Sequence, residues 1–155
     1  MVAAVRLAEK NDIPAIIKMG EKFYEESNFE KGGYDAQRFD EIVNFMMWDG
    51  EHFILIAHVD EKPIGFLIFD VSRHYTRYLV SCMFLFYVDA DHRKHNAGMA
   101  LLSAAREIAK EEGSKYFYVS SSAGFEDGGR NERALISLYK RMGAIENGVF
   151  MRVEL

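Results

Sequence analysis

Apolar positions change their period several times along the chain, and the order of those changes predicts alternating helices and strands. Ala4-Val5-Arg6-Leu7-Ala8 predicts a short first strand. Asn11-Asp12 offers a helix cap with Pro14 in the first turn, and Ile13, Ile16, Ile17, Phe23 and Tyr24 share one face of a helix. Gly32 and Gly33 break that pattern before a second helix with Phe39, Ile42, Val43 and Met46 inward. Phe53 to Val59 and Ile64 to Val71 are strand-like runs joined by the polar connection Asp60-Glu61-Lys62-Pro63, a hairpin signal.

The run Leu79 to Val88 is apolar almost throughout and predicts a central strand buried on both faces. After Asp89-Ala90-Asp91-His92-Arg93-Lys94 comes a helix with Leu101, Leu102, Ala105, Ile108 and Ala109 inward, ended by Gly113. Lys115 to Ser120 predicts another strand. The polar loop Ser121 to Gly129 leads to a helix carrying Ala134, Leu135, Leu138, Tyr139 and Met142, stopped by Gly143. Ala144-Ile145 and Val149 to Leu155 predict a final strand pair. The order is β-α-α-β-β-β-α-β-α-β-β. Consecutive strands favour antiparallel pairing, and strand-helix-strand units favour parallel crossovers. The expected fold is α/β, a mixed, mostly antiparallel central sheet with helices on both faces.

A length of 155 residues suits a single domain, 1–155, with a core large enough to need no staples. The formal net charge of −5 disfavours nucleic acid as a partner. One cysteine, Cys82, excludes an internal disulfide framework and a multi-thiolate zinc site, and in its apolar run it reads as an inert buried thiol. No apolar stretch is long enough to span a membrane, and Met1 to Arg6 lacks the features of a signal peptide, so the expected setting is cytoplasmic with no membrane partner.

The chemistry concentrates where the apolar strand ends and a basic loop enters a helix. Free N–H groups at a helix start, backed by the positive end of its dipole, bind anions. Gly98 would let phosphates approach the backbone, with Arg93, Lys94 and His95 adding positive charge. The segment is not a Walker A loop, since no Gly-Lys-Ser/Thr closes it, and a Rossmann glycine fingerprint is absent.

Here the sequence resembles the GNAT superfamily of acyl-CoA-dependent N-acyltransferases. The matching residues are Val88, then Arg93-Lys94-His95-Asn96-Ala97-Gly98, then Leu101-Leu102. Asn96 replaces the family's first glycine and is the kind of residue that best tolerates a left-handed backbone. Asn131, Ala134, Tyr139 and Gly143 fit the family's later helix, and Pro63-Ile64-Gly65-Phe66 fits its hairpin. The resemblance spans nearly the whole chain.

It implies a GNAT-type fold, with acetyl-CoA as acyl donor lying in a splay between two parallel strands. Phe86, Tyr87 and Val88 would face the thioester and pantetheine arm. The backbone of Arg93, Lys94, His95, Asn96, Ala97, Gly98, Met99 and Ala100 would hold the pyrophosphate, and Asn131 would contact the pantetheine. Tyr139 would protonate the departing thiolate, with direct attack by a primary amine and no metal. Many members carry a strand glutamate as base where this chain has Phe84 and Leu85. Asp70, His74, Glu25, Glu26, Ser120, Ser121 and Ser122 are the alternatives, none preferred. A lysine-like amine is neutral about once in 10³ molecules at pH 7, so proton removal is a real requirement.

His92 and His95 have metal-ligand spacing without a partner motif. Tyr34, His74, Tyr75 and Tyr78 are candidates to line an acceptor pocket, and Glu25, Glu26, Glu30 and Asp35 would attract a cationic acceptor. The competing reading is a GNAT-like module that binds acyl-CoA, or forms a subunit interface, without turnover. A homodimer through the C-terminal strands is a further expectation.

Overall fold

Three strand-like runs with no helix between them have one economical solution, an antiparallel meander, and the chain adopts it. In the computed structural model, residues 3–27, 32–94, 96–120 and 130–148 are described. The elements are β1 (Ala4–Leu7), α1 (Ile13–Glu26), α2 (Ala36–Trp48), β2 (His52–Val59), β3 (Lys62–Ser72), β4 (Val80–Val88), α3 (Ala97–Glu111), β5 (Tyr116–Tyr118) and α4 (Arg130–Arg141). They build a mixed α/β fold on one sheet of order β1-β2-β3-β4-β5, antiparallel except for the parallel pair β4–β5.

Strand alternation divides the core into two layers. Leu67 and Phe69 of β3 face Ala97, Leu101, Leu102, Ala105 and Ala109 of α3, with Tyr139 of α4 in the same layer. Phe66 and Ile68 face Ile13, Ile16 and Met19 of α1 and Val43 of α2. Each large apolar side chain among them contributes about 1.5–3 kcal/mol on burial, which fixes the register because a one-residue slip would exchange the layers. The strand buried along both faces is therefore β3, where Ile64 to Asp70 are all inaccessible. This corrects the expectation for Leu79 to Val88: Phe84 in the middle of β4 is 45% exposed.

Local chemistry departs from the sequence expectation in several places. Asp12 does not cap α1. Its carboxylate accepts from the Glu9 N–H at 2.7 Å and from both terminal nitrogens of Arg6 at 2.6 and 3.0 Å, tying β1 to the turn before the helix. Asp35 does cap α2, accepting from the Arg38 N–H at 2.9 Å. The β2–β3 connection is tighter than predicted: Val59 pairs with Lys62. Asp60 and Glu61 turn the chain with φ of 47° and 62°, left-handed at both positions without a glycine. The strand predicted at Lys115–Ser120 contracts to Tyr116–Tyr118, and Ala144-Ile145 is not strand. Ala134 is exposed rather than inward. The loop Ser121 to Gly129 and the strand expected at Val149 to Leu155 lie outside the described residues.

Candidate functional site

The site begins with a separation in the sheet. β5 pairs with β4 only at Val80, Ser81 and Cys82, against Tyr116, Phe117 and Tyr118, while β4 continues to Val88. A bulge marks the departure: Ile68 pairs with Leu85 and Phe69 with Met83, leaving Phe84 without a partner. An extra residue bends its strand and increases the local twist. Beyond it, the Asp89 N–H donates to the Ile64 carbonyl at 2.8 Å, so antiparallel alternation turns the backbone groups of Val88 and Phe86 away from β3. Among the described residues no strand covers that side.

Past β4 the chain makes a 3₁₀ turn at Ala90–His92 and enters α3 through Asn96, whose φ of 61° and ψ of 2° are left-handed. The expectation that Asn96 takes over a glycine's conformation is borne out. The first helical bond here runs from the Ala100 N–H to the Asn96 carbonyl at 2.9 Å. The N–H groups of Ala97, Gly98 and Met99 precede it and have no helical acceptor. Ala97 is buried, Gly98, Met99 and Ala100 are half-buried, and Arg93, Lys94 and Asn96 lie at the surface. His95 is outside the described residues. Gly98 also has a packing role the sequence did not reveal. A Cβ there would stand 3.2 Å from the Phe86 ring and 3.4 Å from Leu138, so the missing side chain lets α3 close on β4 and α4.

Arg93 differs from expectation. Its Nε donates to the Val88 carbonyl at 2.9 Å, its guanidinium pairs with the Glu26 carboxylate, and it lies 5.6 Å from the Tyr87 ring centre. The Tyr87 hydroxyl donates to the other Glu26 oxygen at 3.0 Å. The Arg93 charge thus couples the end of α1 to β4 instead of standing free at the helix start. Among the described residues the Val88 N–H has no strand partner, whereas its carbonyl is taken. Burial, reinforced by the Glu26 charge, raises the Tyr87 pKa well above the ordinary tyrosine value.

Tyr139 approaches from α4. Its side chain is buried, and its hydroxyl donates to the Ser120 carbonyl at 3.0 Å, just past β5. Burial pushes its pKa above the usual range, so it holds its proton at neutral pH. Asn131 is in the first turn of α4, and its side chain is outside the described residues.

Among the other candidates, Asp70 and His74 are brought together: His74 Nε2 lies 2.9 Å from Asp70 Oδ2. Glu26 is engaged as described, Glu25 is exposed, and Ser121, Ser122 and Glu30 lie outside the described residues. Tyr34 is structural, donating to the Ile17 carbonyl at 2.8 Å and packing on Tyr24 and Phe39. Tyr75 is exposed, and Tyr78 packs edge-on against Tyr116 with Lys115 over its ring. The engagement of Glu26 by β4 had no sequence signal, because the two partners come from elements far apart in the chain.

A model of the acetyltransferase (GNAT) family matches residues 18–144. No curated protein sequence matches the chain significantly. Solved structures do. An aminoglycoside acetyltransferase from an uncultured soil metagenomic sample, in complex with sisomicin, superposes with a TM-score of 0.71 at 17% identity, covering 99% of this chain and 96% of that one. The ribosomal-protein-alanine N-acetyltransferase of Brucella melitensis biovar Abortus 2308 gives 0.72 at 18% identity, covering all of both chains. A transcriptional regulator from Bacillus halodurans C-125 gives 0.76 at 16% identity, covering 99% of each. Likenesses this low in identity establish the shared fold. No described helix is long and apolar enough to cross a membrane.

Proposed function

Since the chain belongs to the acetyltransferase (GNAT) family, we propose that it transfers an acetyl group from acetyl-CoA to a primary amine by direct attack within a ternary complex. The observation that carries this reading is the separation of β4 from β5 beside the amino end of α3, with a protonated tyrosine bonded to the Ser120 carbonyl just past β5. The three parts suit three parts of the donor. The N–H groups of Ala97, Gly98 and Met99 lie where a pyrophosphate gains hydrogen bonds and the favourable end of the helix dipole. The outward N–H groups of Phe86 and Val88 suit an amide-bearing arm lying along β4. Tyr139, neutral and on the β5 side of the opening, is the proton donor for the departing thiolate.

With Phe84 and Leu85 where many family members carry a strand glutamate, the proton of the amine leaves to a group on another element. Glu26, held by Tyr87, is a carboxylate already bonded to β4. Cys82 takes no acyl group in this reading: its thiol is raised in pKa by burial and by Asp70 and lies back where β4 and β5 are still paired.

The reading is tested by following thiol release from acetyl-CoA over a panel of primary amines. Tyr139→Phe should lower kcat by about 10²–10⁴-fold while calorimetric CoA binding persists. Absence of CoA binding by the native protein overturns the reading. The replacement of the strand glutamate favours a second one, a binding module, which predicts CoA affinity with no thiol release on any amine.

A further inference from the structure

Away from the amino end of α3, the sheet brings a second chemical cluster together. In the β3–β4 register Asp70 stands opposite Cys82, so their side chains leave the same face. His74 follows in the turn after β3, with a left-handed φ of 45°. Its imidazole returns to Asp70, with Nε2 and Oδ2 2.9 Å apart. One carboxylate oxygen, one imidazole nitrogen and the thiol sulfur all lie within 4.8 Å of one another. We propose that Asp70, His74 and Cys82 form a binding site for a borderline-soft divalent cation of the zinc or cobalt type, with a solvent molecule as fourth ligand.

The donor set selects the ion. Thiolate and imidazole suit zinc and cobalt, whereas magnesium and calcium require six or more oxygen ligands. Two tetrahedral ligands bonded at 2.0–2.1 Å stand roughly 3.3 Å apart, so His74 and Asp70 need part by only about 0.4 Å to share an ion. A thiolate at about 2.3 Å would stand roughly 3.6 Å from either partner, so the thiol needs a shift of at most about 1.2 Å, within reach of a side-chain rotation. Charge balances as well. On binding, the thiol proton passes to solvent, and thiolate plus carboxylate offset the two charges of the cation around a neutral imidazole.

The supporting contacts are already in place. Asp70 is buried, and its Oδ1 accepts the Cys82 N–H at 2.9 Å, which fixes the carboxylate plane. Ser72 Oγ accepts from the His74 N–H at 3.3 Å and lies 3.5 Å from Asp70 Oδ2, steadying the turn. His74 lies at the surface, which gives the ion an entry route and leaves the fourth position to water. The neighbouring His52 is committed to Asp49 through its Nδ1 at 2.5 Å. Bound metal would clamp the β3–β4 turn to the start of β4, a role independent of acetyl transfer.

Titration of the metal-free protein with cobalt(II) tests this. The expected result is a one-to-one complex with a thiolate-to-cobalt charge-transfer band and the visible absorption of a tetrahedral centre, both displaced by zinc. Cys82→Ser should lose the charge-transfer band, and His74→Ala should weaken cobalt binding by roughly tenfold or more. Far-ultraviolet circular dichroism checks that each variant folds, and His74→Ala, altered at the surface, decides alone if Cys82→Ser does not. A titration without the charge-transfer band, a band that survives in Cys82→Ser, or unchanged affinity in His74→Ala overturns the proposal.

Discussion

A carboxylate held by two guanidinium nitrogens and a backbone N–H has little reason to take up a proton. Asp12 is such a group: Arg6, and secondarily the Glu9 N–H, hold its pKa below the usual carboxylate value against the opposing effect of burial. A pKa depressed on folding adds stability that is fully present above the unfolded value of about 3.9 and is lost as pH falls through the folded value. Arg6 is only partly buried, so the contribution is screened and amounts to about 1–2 kcal/mol. Asp12→Asn should therefore unfold at lower urea than the native protein at pH 7, and the gap should close as the pH drops below about 4. At this scale the sequence is legible where a residue obeys its own backbone preference. Asn96 is left-handed because its side chain tolerates that conformation. Arg93 is not legible, because its partners Glu26 and Val88 meet it only after the sheet and α1 assemble.

Elements add constraints that no single residue carries. Gly65 on β3 stands opposite Val88, and a Cβ there would lie 2.8 Å from the Tyr87 carbonyl and 3.2 Å from the Val88 Cα. Because the obstruction is backbone, Gly65→Ala must push β3 and β4 apart. It should cost about 1–3 kcal/mol in chemical unfolding and weaken CoA binding in calorimetry, since Val88 is displaced with the strand. The β2–β3 turn offers the opposite case. Glu61 adopts a left-handed conformation that penalises a Cβ by roughly 1–2 kcal/mol, so Glu61→Gly should raise stability by up to about 1 kcal/mol after the entropy gained by the unfolded chain. The hydrophobic pattern marks where strands and helices lie, and it foresaw most elements. It could not identify β3 rather than β4 as the doubly buried strand. An unbroken apolar run looks the same whether its middle is packed or bulged, and the bulge at Phe84 exists only relative to β3.

For the whole molecule, the antiparallel pairing of the consecutive strands and the helices on both faces were readable because consecutive strands pair and apolar periods divide between two faces. The metal-type cluster was not, since Asp70, His74 and Cys82 become neighbours only through the cross-strand register. That same register stops at Cys82 and Tyr118, and the consequence reaches beyond the site. A sheet that parts midway has peptide groups whose protection depends on what is inserted. Without donor, the Phe86 and Val88 amide hydrogens should exchange with deuterium far faster than those of Tyr87 and Asp89, which point into β3. Saturating CoA should slow the first pair selectively, as the proposed lie of its amide-bearing arm along β4 requires.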